Sequence, residues 1–434
     1  MKFGGTSVGS AERMKNVARL IESQGRNIIV LSAMSGTTNS LVEIATYLRN
    51  KNESGARDTL HKMELAYDKH VDELYSTEKY REMAREYIHG VFSYLGSFTG
   101  EQFTSKEEKI ILAQGELIST HMMTYYFQEK GIKAVLIPAL DYMKTDRAGE
   151  PDLAYIKSHL KPLVDAQKDA HLFITQGFIC RNADDEIDNL KRGGSDYTAS
   201  LVGAALKADE IQIWTDIDGM HNNDPRVVEG TKPVRHLHFE EAAELGYFGA
   251  KILHPTCVQP AKFANVPVRL LNTLQPEAPG TIINNEPVPG TIKAVAAKDD
   301  ITAIKIKSSR MLLAYGFLRK VFEIFESYRT SIDMICTSEV GVSLTIDNTR
   351  YLDDIVSELK KFGTVSVDRD MCIICVVGDM DWENVGFETR AMEAMKDIPV
   401  RMVCYGGSNY NISFLVKESD KANALKSLSN SLFD

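Results

Sequence analysis

The chain has 434 residues, 44% hydrophobic and 25% charged, which is the make-up of an ordinary globular protein with room for about two to three domains. A formal net charge of -10 argues against a nucleic-acid or membrane-surface role, and no apolar run reaches membrane length. No leader-like apolar segment follows the start, so the cytoplasm is the expected compartment. Six cysteines in so long a chain make no disulfide framework. Cys372 and Cys375 lie in an apolar strand, where an offset of three puts the thiols on opposite faces. They read as core residues, and no metal-ligand spacing occurs elsewhere.

Residues 1–10 (MKFGGTSVGS) place Gly4 and Gly5 ahead of Thr6, Ser7 and Ser10. Met14, Val17, Ala18 and Ile21 then recur at helical spacing, predicting a helix from near Ser10 to near Gly25. Glycines, hydroxyls and a helix N-terminus together have the logic of a phosphate loop. It is not a Walker A, because Lys2 precedes the loop and no Gly-Lys-Ser/Thr follows. Only Met1 stands before Lys2, which puts this lysine beside an expected mobile terminus.

Residues 27–32 form an apolar strand feeding a second hydroxyl-rich loop, 33–39. Such strand-end crevices bind ligands in open α/β sheets. Residues 41–130 read as a helical insertion, with Ser105-x-x-Glu108 as a capping box. Glu116, among Leu112, Leu117 and Ile118, is expected to be partly buried or to face a cavity. Strands at 134–137, 171–175 and 211–215, with a helix at 151–167, predict a mostly parallel sheet with right-handed crossovers.

Residues 191–198 (KRGGSDYT) open another apolar helical run. Gly193 and Gly194 permit close backbone approach, Ser195 or Asp196 can cap the helix, and Arg192 adds a fixed positive fork. A carboxylate beside an anion site calls for a ligand that also carries a positive group, either an ammonium or a metal ion. Residues 213–219 form a further strand-end loop, closed by 223–226, and Lys251 sits alone in an apolar run. After a last strand at 268–271, four prolines between 276 and 289 mark a boundary, giving domains 1–280 and 281–434. From Ile301 onward, short strands alternate with amphipathic helices in the manner of two ferredoxin-like βαββαβ units.

Taken in order, Lys2-Phe-Gly-Gly-Thr-Ser7, Gly115-Glu116, Thr175-Gln-Gly-Phe178, Gly193-Gly-Ser-Asp-Tyr197, Trp214-Thr-Asp216, Asp224-Pro-Arg226 and Gly249-Ala-Lys251 resemble the aspartokinases. These are amino acid kinases with C-terminal ACT domains, and the likeness runs the length of the chain. It implies an α/β fold, an open mostly parallel sheet with helices on both faces, followed by paired ACT units. The implied reaction is ATP- and Mg2+-dependent phosphorylation of the L-aspartate β-carboxylate, the first step towards lysine, threonine and methionine.

By position in those motifs, Lys2 would hold the transferring phosphoryl group, with Asp196 organising its surroundings. Ser32, Thr38, Glu116, Arg192 and Asp196 would hold aspartate. Lys2, Gly4, Gly5, Ser7, Thr215, Asp216, His221, Arg226 and Lys251 would hold ATP, His221 standing where the family often has tyrosine. Residues 330–333 and 337–339 are similar to the lysine-sensitive members, which implies L-lysine as effector at Met311, Gly316, Phe317, Leu318, Ser331, Asp333, Thr337 and Ser338. Asp333 would take its ammonium, and edge-strand pairing of ACT units implies a homodimer or larger homo-oligomer. Two other readings stand beside this one: a catalytically silent amino-acid sensor, and a related kinase acting on glutamate, acetylglutamate or a nucleotide.

Overall fold

The computed structural model describes residues 1–22, 25–190, 193–249, 253–307 and 315–433. By contacts the chain forms two compact units, one of Met1–Met220 with Leu253–Asn285, the other of His221–Ile252 with Glu286–Asp434. The segment 221–252 therefore groups with the C-terminal part, which a single boundary near residue 280 does not express.

In chain order the first part runs β1 (Lys2–Phe3), α1 (Ala11–Glu22), β2 (Asn27–Leu31), α2 (Thr37–Arg49), α3 (Glu53–Leu74), α4 (Glu78–Gly96), α5 (Ser105–Glu129) and β3 (Ala134–Leu136). Then come α6 (Leu153–Asp165), β4 (Leu172–Gln176), the hairpin β5 (Ile179–Arg181) and β6 (Ile187–Asn189), α7 (Gly194–Leu206) and β7 (Ile211–Thr215). Strand β8 (His236–His238) and helix α8 (Phe239–Tyr247) belong to the second unit; α9 (Pro255–Ala264), β9 (Val268–Asn272) and β10 (Thr281–Asn284) complete the first.

Its sheet follows the order β3-β4-β2-β1-β7-β9-β10, parallel except for the β9–β10 pair. Alternation sends side chains to both faces. Leu172 and Ile174 join the core under the α1–α5 layer, while Phe173 between them joins the core with Ile156, Leu160 and Leu201 of α6 and α7. The helical face of α1 is buried as its periodicity predicts, at Met14, Val17, Ala18 and Ile21.

Two local expectations are corrected. The capping box of α5 uses Thr104 and Glu107, one residue earlier than the Ser105/Glu108 pair, so Ser105 is already helical. Helix α7 has Gly193 as its N-cap with φ 70°, and no side chain caps it, neither Ser195 nor Asp196. The left-handed backbone there suits glycine, and a Cβ on Gly193 would lie 2.2 Å from Cys257 Sγ.

The second unit continues with β11 (Ile292–Lys307), α10 (Phe317–Ser327), β12 (Ile335–Ser338), β13 (Gly341–Ile346), α11 (Leu352–Lys360), β14 (Thr364–Gly378), α12 (Phe387–Ala394), β15 (Met402–Tyr405), β16 (Asn411–Lys417) and α13 (Lys421–Phe433). The antiparallel sheet order β12-β13-β11-β14-β16-β15 contains both ferredoxin-like repeats, because the long strands β11 and β14 serve each in turn. The second half of β11 pairs with β13 in the first repeat. Its first half, from Ile292, is the outer strand of the second repeat beside β14. Strand β11 thus begins nine residues before the predicted start at Ile301, and the two halves are separated by register shifts between Lys298 and Ala303. Cys372 packs with Ile374 and Val376 under α12 and α13, while Cys375, on the other face, stands opposite Ser413 of β16 in the strand register. Both are fully buried, as core cysteines should be.

Candidate active site

Parallel pairing sends the C-terminal ends of β2, β1 and β7 to one edge of the sheet. Lys2 sits there in the middle of the sheet, paired with Val30 on one side and Ile213 on the other. The expected mobile terminus is not found, since two parallel neighbours fix this backbone. Lys2 Nζ lies 2.7 Å from Asp196 Oδ1, at ion-pair distance but without hydrogen-bond alignment, with side chains 12% and 19% exposed. Asp196 is in the first turn of α7, where free amides favour a carboxylate.

The loops after β1 and β2 cross backbone to backbone. Ser7 N and Val8 N donate to Gly4 O at 2.9 and 3.3 Å, and Ser35 N donates to Gly5 O at 3.2 Å. A Cβ on Gly5 would meet Ala33 O at 2.8 Å, so the crossing requires glycine. Ser32 Oγ donates to Ser195 Oγ at 2.9 Å, and Ser119 Oγ of α5 fixes the Ser32 carbonyl at 2.8 Å. Glu116 is 5% exposed, and its Oε2 has no hydrogen-bond partner. Burial pushes its carboxyl up to about 7, partly opposed by a hydrogen bond from the Ala33 amide.

Among these groups opens a cavity of ≈ 450 Å³, lined by Gly5, Ser32, Thr38, Glu116, Phe178 and Ser195 among others. A second cleft of ≈ 90 Å³ lies between Ser7 and Arg13 on one side and Asp216 and Leu274 on the other, with Thr6 lining both. Next to Asp216, Thr215 Oγ1 accepts the Ile217 amide at 3.1 Å, turning the chain after β7. The site therefore has a carboxylate-bearing chamber and a hydroxyl-lined cleft on either side of the Gly4–Ser7 loop. A larger cavity, ≈ 520 Å³, opens beside Asn27, Lys207 and Ile211, where strands begin. Ligands of open α/β sheets bind at the carboxyl ends, which favours the smaller chamber.

His221 and Arg226 lie in the second unit, where His221 Nδ1 is 2.9 Å from Thr231 Oγ1. The Arg226 fork grips Asp224 at 2.9 and 2.7 Å and holds that carboxyl below its usual range. Arg192, Lys251 and Met311 lie outside the described residues. Of the other expected effector residues, Gly316 caps α10 with φ 79°, Phe317 is buried, and Leu318, Ser331, Thr337 and Ser338 are exposed. The Asp333 side chain is 1% exposed and ion-paired to Lys298, an ammonium from its own chain. Sequence reasoning passes over Ser195, Thr6 and Phe178 as cavity residues, although all three stand inside the motifs it singles out. Among the described residues no group of His, Cys, Asp and Glu could hold a metal ion by itself, and no helix is long and apolar enough to cross a membrane.

The amino acid kinase family matches residues 1–272 and an ACT domain matches residues 374–432. The chloroplastic aspartokinase 3 of Arabidopsis thaliana is 34% identical, over 100% of this chain and 81% of its own. The lysine-sensitive aspartokinase 3 of Escherichia coli K12 is 31% identical, covering 100% and 98%. Among solved structures, E. coli aspartokinase III in complex with aspartate and ADP superposes with TM-score 0.83 at 30% identity, over 100% and 99% of the two chains. The aspartate kinase of Clostridium acetobutylicum superposes with TM-score 0.87 at 26% identity, over 99% of each.

Proposed function

The chain belongs to the aspartokinase family, and from that premise we infer that it uses ATP to phosphorylate the β-carboxylate of L-aspartate, giving 4-phospho-L-aspartate under feedback inhibition by L-lysine. The observation that carries the reading is Lys2 beside Asp196, next to a chamber containing a buried, half-satisfied Glu116. A carboxylate acceptor, which ordinarily titrates near pH ~3.9, is already ionised at neutral pH and is itself the nucleophile, so no general base is required. The difficulty is charge: at ~4 Å and an effective dielectric of ~20, each pair of like unit charges repels by roughly 4 kcal/mol. Cations and loop amides must offset that, which makes catalysis a matter of positioning and electrostatics.

In this reading Lys2 meets the transferring phosphoryl group, and Asp196 orients Lys2 and the groups around it. Ser32, Thr38, Glu116, Arg192 and Asp196 receive aspartate, with Glu116 facing its ammonium. Gly4, Gly5, Ser7, Thr215, Asp216, His221, Arg226 and Lys251 receive ATP. Mg2+ fits as an ion carried by the nucleotide, because such ions keep several waters and take only one or two carboxylates from protein. When bound it would neutralise phosphate charge. The ACT repeats receive lysine and pair with a second copy through their edge strands, and the chain works in the cytoplasm. Residues 1–280 would form the catalytic domain and 281–434 the regulatory one.

Coupled measurement of ADP release with aspartate, glutamate and acetylglutamate tests the assignment. Aspartate alone should support turnover, and Arg192→Ala should raise its KM far more than that of ATP. Equal rates with glutamate would defeat it.

A further inference from the structure

Strands β12 and β15 are opposite edges of the second unit's sheet, yet they meet. Cys336 of β12 and Cys404 of β15 bring their sulfurs to 3.8 Å. Each thiol also reaches a carbonyl of the other strand: Cys336 Sγ lies 3.1 Å from Val403 O, and Cys404 Sγ lies 3.3 Å from Ile335 O. The sheet has curled until its edges face, and the two sulfurs join the first ferredoxin-like repeat to the second. Both side chains are partly exposed, whereas Cys180, Cys257, Cys372 and Cys375 are buried. Nothing in the kinase chemistry uses these thiols.

We propose that Cys336 and Cys404 form a redox-sensitive dithiol, which a small-molecule disulfide oxidises to a covalent staple between the two repeats. One cysteine thiolate attacks the oxidant's S–S bond, forming a mixed disulfide and releasing one small thiol. The second cysteine thiolate then attacks the protein sulfur of that mixed disulfide and expels the other small thiol. Two protons and two electrons leave the protein with the two reduced thiols. Closure from 3.8 Å to a bond of about 2.05 Å asks for a movement that two edge-strand side chains can share. Burial and the neighbouring sulfur push the Cys336 thiol up to about 11, so exchange is slow at neutral pH and quickens as pH rises.

The staple would pin β12, which carries Thr337 and Ser338 and begins two residues after Asp333. The oxidised chain should therefore answer lysine differently, a consequence that rests on the lysine reading above.

The test incubates the full chain with oxidised glutathione at pH 8, quenches with acid and counts thiols after denaturation. Wild type should lose two of its six thiols and about 2 Da, and proteolysis should yield one linked peptide containing residues 336 and 404. Cys336→Ser and Cys404→Ser should give at most a glutathione adduct. The wild-type thermal midpoint should rise by roughly 5 °C on oxidation, and those of the variants should not. Adducts without an internal link in wild type, a link between chains, or a link through another cysteine would each overturn the dithiol. Half-inhibitory lysine should shift by about 5-fold on oxidation of wild type but not of Cys404→Ser. An unchanged value with the bond formed removes the regulatory consequence. Absence of lysine inhibition in the reduced chain counts against the lysine reading, while the thiol count still decides the dithiol.

Discussion

Lys298 Nζ stands 2.7 Å from Asp333 Oδ1, so the carboxylate expected to receive an effector's ammonium already holds an ammonium from its own chain. Asp347 Oδ2 lies 3.0 Å from the same nitrogen, and the Tyr247 ring lies 4.8 Å away. Burial raises the Asp333 carboxyl, and Lys298 partly opposes that rise. Burial would lower the Lys298 ammonium, but its two carboxylates outweigh it and the net direction is up.

Removing the internal cation should therefore act on both stability and regulation. Lys298→Met leaves the nearly inaccessible Asp333 without its cation, beside a long 3.5 Å bond from the Tyr247 hydroxyl, and should cost about 3 kcal/mol in denaturant titration. If effector and Lys298 compete for Asp333, the surviving folded variant should need several-fold less lysine for half inhibition. A Lys298→Met, Asp333→Asn double variant should recover stability and lose that gain. An unaltered lysine response in the single variant would exclude Asp333 from the effector's path.

Glu116 gives the acceptor chamber a pH signature. Its carboxyl, raised to about 7, must ionise to face an ammonium, so kcat/KM for aspartate should fall as pH drops through about 7. Glu116→Gln should be slow and free of that inflection. Stability runs the opposite way. The folded-state pKa is above the unfolded 4.5, so ionisation penalises the fold, beginning as pH rises past 4.5 and reaching its full extent above about 7. The penalty saturates at about 3 kcal/mol, and Glu116→Gln should be more stable than wild type at pH 8 but not at pH 4. Denaturant midpoints at the two pH values check this.

Much of the chamber was legible because parallel strands deliver all their C-terminal loops to one edge. Once 27–32 and 211–215 read as strands, the glycine and hydroxyl loops behind them had to converge. Glu116 was legible as an acid inside an apolar helical face. Long-range pairings were not. Nothing near Asp333 signals a lysine 35 residues upstream, and nothing in the spacing of Cys336 and Cys404 signals that opposite sheet edges curl together. The early start of β11 was hidden for a related reason. Residues 292–298 complete a repeat whose other strands come more than 70 residues later, so no local hairpin announces them. The Thr104 cap competed with Ser105 on equal terms, since both precede a glutamate by three, and only the helix start distinguishes them.

The loop crossing at Gly5 should tolerate no side chain. A Cβ there meets Ala33 O at 2.8 Å, and a backbone oxygen cannot swing aside as a side chain can. Gly5→Ala should cost about 1–3 kcal/mol in stability. It should also lower kcat by ~100-fold, as the two loops separate by a fraction of an ångström to an ångström. Gly90→Ala, at a glycine with open space around it, is the control and should leave kcat unchanged. A fully active Gly5→Ala enzyme would mean that the loops reposition on binding nucleotide.

Lys2 and Asp196 should behave as one unit. The ion pair is partly screened, with the two side chains 12% and 19% exposed, and it lies at the sheet edge where phosphoryl transfer is proposed. Charge developing between acceptor and ATP is greatest in the transition state, so Lys2→Ala should lower kcat by ~100-fold or more with little change in the KM of ATP. Asp196→Asn keeps the lysine but frees its ammonium to swing, so it should also lower kcat, by a smaller factor. Because each residue acts through the other, the double variant should be no slower than Lys2→Ala alone, where independent roles would multiply. Steady-state kinetics of the three variants decides the matter. Multiplying effects would mean that Asp196 acts on the substrate independently of Lys2, and near-normal kcat in Lys2→Ala would move the phosphoryl contact to another cation.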